Sequence, residues 1–305
     1  MPTMPSSNDA PTDPPATGLR SWLIRRRFAS RAALPGFASS LGFTWLYLSA
    51  VVLLPLSMVA LHAGGVTGTR ALQILGSPRT LAALRLSFFS ATLAASVNVL
   101  FGAVVAWVLA RYRFPGRDLL DAIVELPFAL PTSVAGITLT FLLSEHGWIG
   151  RLLLAAGIKV AFTPLGIVVA LTFVGLPFVV RTVQAVVMEM DRQVEEAAES
   201  LGSSPWQTFW RVQFPPLLPA LFTGFALALA RAVGEYGSVL FISGNLPMKT
   251  EIAPLLIVSK LEQYDYDGAS VLAAAMLCLS LAVLAVVHLV ERWTATRYAG
   301  VEAAS

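Results

Sequence analysis

Arg231 and Glu235 stand four residues apart inside an apolar stretch, Leu217 to Ser243, in which no other side chain carries charge. On a helix that spacing places them on one face, where they can pair. A charge in hydrocarbon is costly, so the pair either fixes helix packing or lines a water-filled path where the guanidinium offers a positive site to an anion. Asn98 and Glu125 are polar groups in other apolar stretches, and interhelical hydrogen bonding is the role expected of each. Gly234 and Gly237, beside Glu235, allow close helix packing or a backbone facing a path. Catalytic chemistry finds no such cluster. His62, His146 and His288 stand far apart, and the single cysteine, Cys278, lies in an apolar run, so no metal set, disulfide or nucleophile–base pair is implied. The segment Gly244-Asn-Leu-Pro-Met-Lys-Thr250 lacks the Gly that precedes the Lys of a phosphate-binding loop and contains Pro247. Nucleotide hydrolysis, if coupled to this chain, belongs to another one.

The elements that must hold these residues are membrane helices. The chain has 305 residues, 56% hydrophobic and 13% charged, with a mean hydropathy of +0.72, whereas soluble domains carry about 25% charged residues. Apolar runs near Gly42 to His62, Leu84 to Ala110, Leu119 to Leu143, Pro164 to Val187, Leu217 to Ser243 and Gly268 to Val290 each approach the ~20 residues that cross a bilayer as helix. An all-α bundle of six transmembrane helices is expected. Pro127 and Pro131 interrupt the third run and predict a kinked or broken helix there. The net charge of +3 does not point to nucleic acid, because the basic residues flank apolar runs instead of forming a stripe.

Residues 1–41 read as a polar tail, disordered over Met1 to Gly18, followed by Arg20, Arg25, Arg26, Arg27 and Arg31; such a start argues against a cleaved signal peptide. Residues 42–63 then form the first span, 84–292 the main membrane domain and 293–305 a second tail. With both termini on one side, thirteen of the 21 Lys and Arg fall on that side, among them Arg111, Arg113, Arg117, Arg192 and Arg211, and seven on the other. The excess marks the termini and the loop 191–216 as cytoplasmic. Glu262, Asp265 and Asp267, with Tyr264 and Tyr266, lie on the opposite side, as a docking surface for a delivery protein or as a solvated loop with interfacial tyrosines.

The loop 191–216 predicts two short helices. Asp191 can cap the first, Glu195, Glu196 and Glu199 suit its early turns, and Gly202 can end it. Ser204, Pro205 and Gln207 have the order of a capping box with proline at the first helical position. Trp206, Phe209, Trp210 and Val212 then form a stripe, and Pro215 and Pro216 are expected to stop the helix. The stripe either packs on the chain's own helices or fills a groove on another protein.

Glu196-Ala197-Ala198, then Gly202, then Val212, Phe214 and Pro215 at the same intervals, resemble the EAA loop of bacterial ABC-importer permeases, with Val212 and Phe214 in place of the usual Ile and Leu. Arg111-Tyr-Arg-Phe-Pro-Gly-Arg117, Leu126-Pro-Phe-Ala-Leu-Pro-Thr132, Pro177-Phe-Val-Val-Arg-Thr-Val-Gln184 and Gly234-Glu-Tyr-Gly237 look like the sulfate and thiosulfate permeases of the CysT type, a pattern that molybdate permeases largely share. The resemblance implies the type I ABC-importer fold and an inner-membrane location. It also implies a coupling helix, involving Glu196, Ala197, Ala198, Gly202, Trp206, Val212, Phe214 and Pro215, that docks on an ATP-binding subunit. Two such subunits holding ATP and Mg, a second permease chain of the W type and an extracytoplasmic sulfate- or thiosulfate-binding protein are the implied partners; no cofactor is implied in this chain. An ion-coupled secondary transporter would need no ATP-binding partner, and the two halves show no evident repeat.

Overall fold

The computed structural model describes residues 37–302, with side chains over 39–290. The expected tail of residues 1–18, Arg20, Arg25, Arg26, Arg27 and Arg31, and the side chains of Arg292 and Arg297 lie outside the described residues. Helix α1 (Phe37–Leu48) passes through a π turn (Ser49–Leu53) into α2 (Leu54–Gly65). Ser39–Gly65 is thereby one apolar helical stretch of 27 residues, long enough to cross a membrane. Pro55 sits just past the π turn, whose wider ring lets the chain accept a residue that has no amide donor.

A short helix, α3 (Gly68–Leu75), leads to α4 (Pro78–Arg111), which Ser77 starts by accepting from the Thr80 amide at 3.3 Å, with proline in the first turn. Helices α5 (Arg117–Ala129) and α6 (Thr132–Leu143) meet at 115°, so the helix of the third run is broken where its prolines predict. Leu130 makes the break: the following Pro131 holds it extended, at ψ 134°. Then come α7 (Trp148–Ala155), α8 (Pro164–Glu189), α9 (Arg192–Ser200) and α10 (Pro205–Thr208). A second π turn (Phe209–Gln213) joins α10 to α11 (Phe214–Val233), followed by α12 (Gly237–Ser243), α13 (Ala253–Glu262) and α14 (Tyr266–Glu302). Among the described residues five helices are long and apolar enough to cross a membrane, or six if the bent pair α5–α6 crosses as one span.

Two expectations need correction. Pro215 and Pro216 do not stop the helix, because Pro205–Val233 runs on for 29 residues. The Phe214 amide reaches back five residues to the Phe209 carbonyl, and the prolines then fall in the first turn of α11, where a missing donor costs little. The fifth run, by contrast, is not one helix: it ends at Val233, and α12 starts again at Gly237. Arg231 and Glu235 therefore do not share a helical face.

Helix α8 is the axis of the bundle. Ile167, Leu171, Val174, Val179, Val180, Val183 and Val187 are buried along it, and α4 and α11 pack against it. The face of α4 turned inward is built from small residues, Ala83, Ser87, Ala91, Ala94, Ala95, Gly102 and Ala106. Hydrocarbon gives apolar helices no hydrophobic reason to associate, so close backbone approach, which small residues permit, supplies the dispersion that holds them.

Candidate functional site

Two regions carry the sequence-predicted residues: an elbow at one end of the bundle and a junction of helix breaks within it. In the elbow, Asp191 accepts from the Gln193 amide at 2.9 Å and starts α9. Gly202, at φ +86°, ends it in the left-handed conformation that glycine adopts without strain. The Gly202 amide donates to the Glu199 carbonyl at 2.9 Å and the Ser203 amide to the Ala198 carbonyl at 3.1 Å, so the turn satisfies carbonyls that the helix end would leave open. The next helix starts with a complete capping box. Ser204 Oγ accepts from the Gln207 amide at 3.3 Å, and Gln207 Oε1 accepts from the Ser204 amide at 3.1 Å.

Of the residues expected to couple, Glu196, Ala197, Gly202 and Trp206 are exposed, whereas Ala198, Val212, Phe214 and Pro215 are half-buried and hold the elbow to its own chain. The aromatic stripe does both. Trp206 is 70% exposed, while Phe209 lies edge-on to Trp107 of α4, ring centroids 5.9 Å apart. Glu195 turns back to an ion pair with Arg111 at the end of α4, and the Arg111 guanidinium also lies 5.4 Å from the Trp107 ring centroid. The elbow is thus anchored on α4 and presents its other face outward.

At the junction, the break between α5 and α6 packs on the break between α11 and α12. A Cβ on Gly237 would come within 2.3 Å of Thr132 Oγ1, and one on Gly136 within 2.4 Å of the Ser238 carbonyl oxygen, so Gly237 packs on a side-chain hydroxyl and Gly136 directly on backbone. Packing is what these contacts require of Gly237, while Gly234 faces open space. Glu235 is 2% exposed and fully engaged: Oε1 accepts from the amide and hydroxyl of Ser238, each at 2.9 Å, and Oε2 takes Arg231 at 2.5 Å. The pairing expected of Arg231 and Glu235 is present, across the break and not along a helix. The Arg231 side chain stays 34% exposed, so its charge is held in place without being enclosed.

The family described as binding-protein-dependent transport system inner membrane component matches residues 98–299. The chain belongs to this family. A probable sulfate transport system permease protein cysT of Nephroselmis olivacea is 49% identical over 248 residues, 81% of this chain and 87% of that protein. The sulfate transport system permease protein CysT of Escherichia coli K12 is 46% identical over 256 residues, 84% and 92% of the two chains. A crystal structure of a bacterial ABC transporter involved in the import of alginate superposes with a TM-score of 0.68 over 90% of this chain and 96% of the other, at 16% identity. The fold is therefore that of an ABC-importer permease, a multi-pass component of the inner membrane.

Several groups in this permease escape sequence reasoning. Arg181 of α8 binds Asp121 at 2.7 Å and Glu125 at 2.5 Å on α5, and Gln184 at 2.7 Å. The spacing of Asp121 and Glu125, one helical turn apart, was the available signal. Glu125 thus has the interhelical bond expected of it. Asn98 does not: it is buried, its Nδ2 lies against Gly175, and among the described residues neither of its amide atoms has a partner. Leu201, 90% exposed, and Val194 were also overlooked on the elbow. Val194, Ala197, Ala198 and Leu201 repeat at helical spacing, an apolar stripe on an otherwise charged helix.

At the opposite end of the bundle Arg79 makes a bidentate pair with buried Glu251, both distances 2.7 Å. Asp265 is occupied as a cap: it accepts from the Gly268 amide at 3.0 Å and from Lys260 Nζ at 2.8 Å. The Lys260 hydrogen bond first, and the Gly268 amide second, hold the Asp265 carboxyl below its ordinary range. A lowered carboxylate pKa adds stability that is present above the unfolded value and lost as the pH falls through the folded one. Asp265→Ala is expected to lower the stability of the α13–α14 corner by about 1 kcal/mol at neutral pH, as loss of an N-cap does. A thermal melt shifted down at pH 7, with the shift vanishing in acid, is the expected reading.

Proposed function

We propose that this chain is the membrane permease of an ATP-driven importer of sulfate, with thiosulfate carried as well. The observation that carries the reading is identity of 45 to 49% over most of the chain to proteins named as sulfate transport permeases. Moving a dianion into a negative interior opposes the field by roughly 4.6 kcal/mol at 100 mV, so the step needs an energy source. Two separate ATP-binding subunits, holding ATP and Mg, supply it; a second permease chain of the W type completes the path, and an extracytoplasmic sulfate-binding protein delivers the anion. This chain binds no cofactor. Both termini and the elbow face the cytoplasm, with residues 84–292 as the transport domain.

The elbow carries the coupling. Glu196, Ala197, Gly202, Trp206 and the missed Leu201 form the face that enters a cleft on the ATP-binding subunit. Because Pro205–Val233 is one unbroken helix, about 43 Å long at 1.5 Å per residue, a displacement of the elbow reaches Arg231 without crossing a hinge. Arg231 meets the anion, and Glu235 holds the guanidinium at the break. In cells that depend on this chain, uptake of labelled sulfate is expected to be competed by unlabelled sulfate and thiosulfate and little by molybdate. Competition by molybdate at equal concentration would assign the site to that oxyanion instead.

A further inference from the structure

We propose that the loop 244–250, with Phe162 packed at its foot, is the docking point for the extracytoplasmic sulfate-binding protein, an assignment that rests on the importer reading above. The backbone is strained there and not elsewhere. Among the described residues four non-glycines hold a positive φ: Phe162 (62°), Asn245 (46°), Met248 (62°) and Tyr264 (60°). All four lie in connections at the end of the bundle opposite the elbow, between α7 and α8, α12 and α13, and α13 and α14. At the elbow end the left-handed positions, Gly116 and Gly202, are glycine. A side chain in that conformation crowds the following carbonyl, and a bulky one is rare there. Strain of this kind marks a place where the position of a side chain matters.

Helix α4 separates this loop from the elbow. Its last residue, Arg111, pairs with Glu195 of the elbow, and Arg79 in its first turn pairs with Glu251 beside the loop. Its 34 residues measure about 51 Å, more than the ~30 Å hydrocarbon core, so the two ends face opposite sides. The loop is tightly built. The Leu246 carbonyl accepts from the amides of Lys249, Thr250 and Glu251 at 3.1, 2.9 and 3.1 Å, and the Leu246 amide donates to Thr250 Oγ1 at 3.0 Å. Phe162 joins it at the foot: its amide donates to the Ile242 carbonyl at 2.8 Å, and a Cβ on Gly244 would come within 3.0 Å of its ring. The tip is nevertheless apolar and open, with Leu246 and Phe162 exposed and Met248 60% exposed. An exposed apolar patch beside polar residues marks a contact with another protein, and the flexible thioether of Met adapts to such a partner. Lys249 at the tip has no ion pair among the described residues, so an acidic group on the partner matches it. The acids expected to dock on this side are occupied, Asp265 as a cap and Asp267 with Arg70 at 3.5 Å. In an importer whose ATP-binding subunits sit on the elbow, what arrives at the opposite end is the protein carrying the anion.

The test uses the assembled transporter in lipid nanodiscs with purified, sulfate-loaded binding protein, and reads ATP hydrolysis. The binding protein is expected to stimulate the parent with a saturable dose response. Met248→Asp should raise the half-maximal concentration about thirtyfold, as loss of an interface anchor does, with the unstimulated rate unchanged. Met248→Gly should raise it about tenfold while the thermal melt holds or rises, because glycine takes a φ of 62° without strain. Absence of stimulation in the parent would overturn the importer reading and this surface together. Stimulation of the parent with an unshifted dose response in both variants would overturn the surface alone. So would a photocrosslinker at Leu246 that captures the second permease chain or lipid and no binding protein, or a melt lowered by Met248→Gly, which would make Met248 a structural residue.

Discussion

Leu201→Asp is expected to abolish the link between this permease and its ATP-binding subunit while leaving the chain folded. Leu201 is 90% exposed, so in the permease alone the substitution removes almost no packing, and surface changes of that kind sit within about 0.5 kcal/mol of neutral. If the elbow docks on that subunit as proposed, the same side chain is buried at the contact, where an unpaired carboxylate costs roughly 2 kcal/mol or more. That is a loss of about thirtyfold or more in affinity. Membranes carrying the variant should contain normal amounts of permease, yield little ATP-binding subunit on copurification, and import no sulfate. Glu196→Lys tests the neighbouring charge independently. If Leu201→Asp copurifies its partner and transports normally, the outward face of the elbow is not the docking surface.

Removing Arg231 should stop import, and the pair must be changed together to show why. Arg231→Ala alone leaves Glu235, 2% exposed, as an unpaired buried carboxylate, which destabilises by about 3–5 kcal/mol, so loss of uptake by that variant could reflect misfolding. The double variant Arg231→Gln with Glu235→Gln removes both charges while keeping the shape at position 235 and its hydrogen bonds to Ser238. Replacing a buried ion pair by neutral groups of similar volume is often tolerated, so the transporter should assemble and melt nearly as the parent does. Sulfate uptake should nevertheless fall roughly ten- to a hundredfold, the range for losing one charged hydrogen bond to the anion. Normal uptake by the assembled double variant would make the pair a packing device and nothing more.

Both experiments depend on how the chain closes over distance. Caps and turns were legible because their partners lie within a few residues: Asp191 with Gln193, Ser204 with Gln207, and Gly202 in the one conformation that ends α9. The bend between α5 and α6 was legible for the same reason, since a proline restricts the residue before it wherever the segment is placed. The proline rule failed at Pro215 and Pro216, where a π turn just upstream absorbs both residues and lets one helix join the elbow to Arg231. Local composition contains no signal for that turn that differs from a helix stop.

By itself, then, the order of residues determined an all-helical membrane chain, the positions of its caps and the motif of its elbow, all of which follow from hydropathy and from hydrogen bonds of short sequence separation. Only the tertiary structure decided that Glu195 turns inward to Arg111 while Leu201 faces out. It also decided that Arg181 gathers two carboxylates from α5, and that Glu235 leaves the helix to grip Arg231 across a break packed on Thr132. Those outcomes depend on which helix lies against which, and in a bilayer, where nearly every face is apolar, that choice is made by the fit of small side chains and the pairing of a few charges.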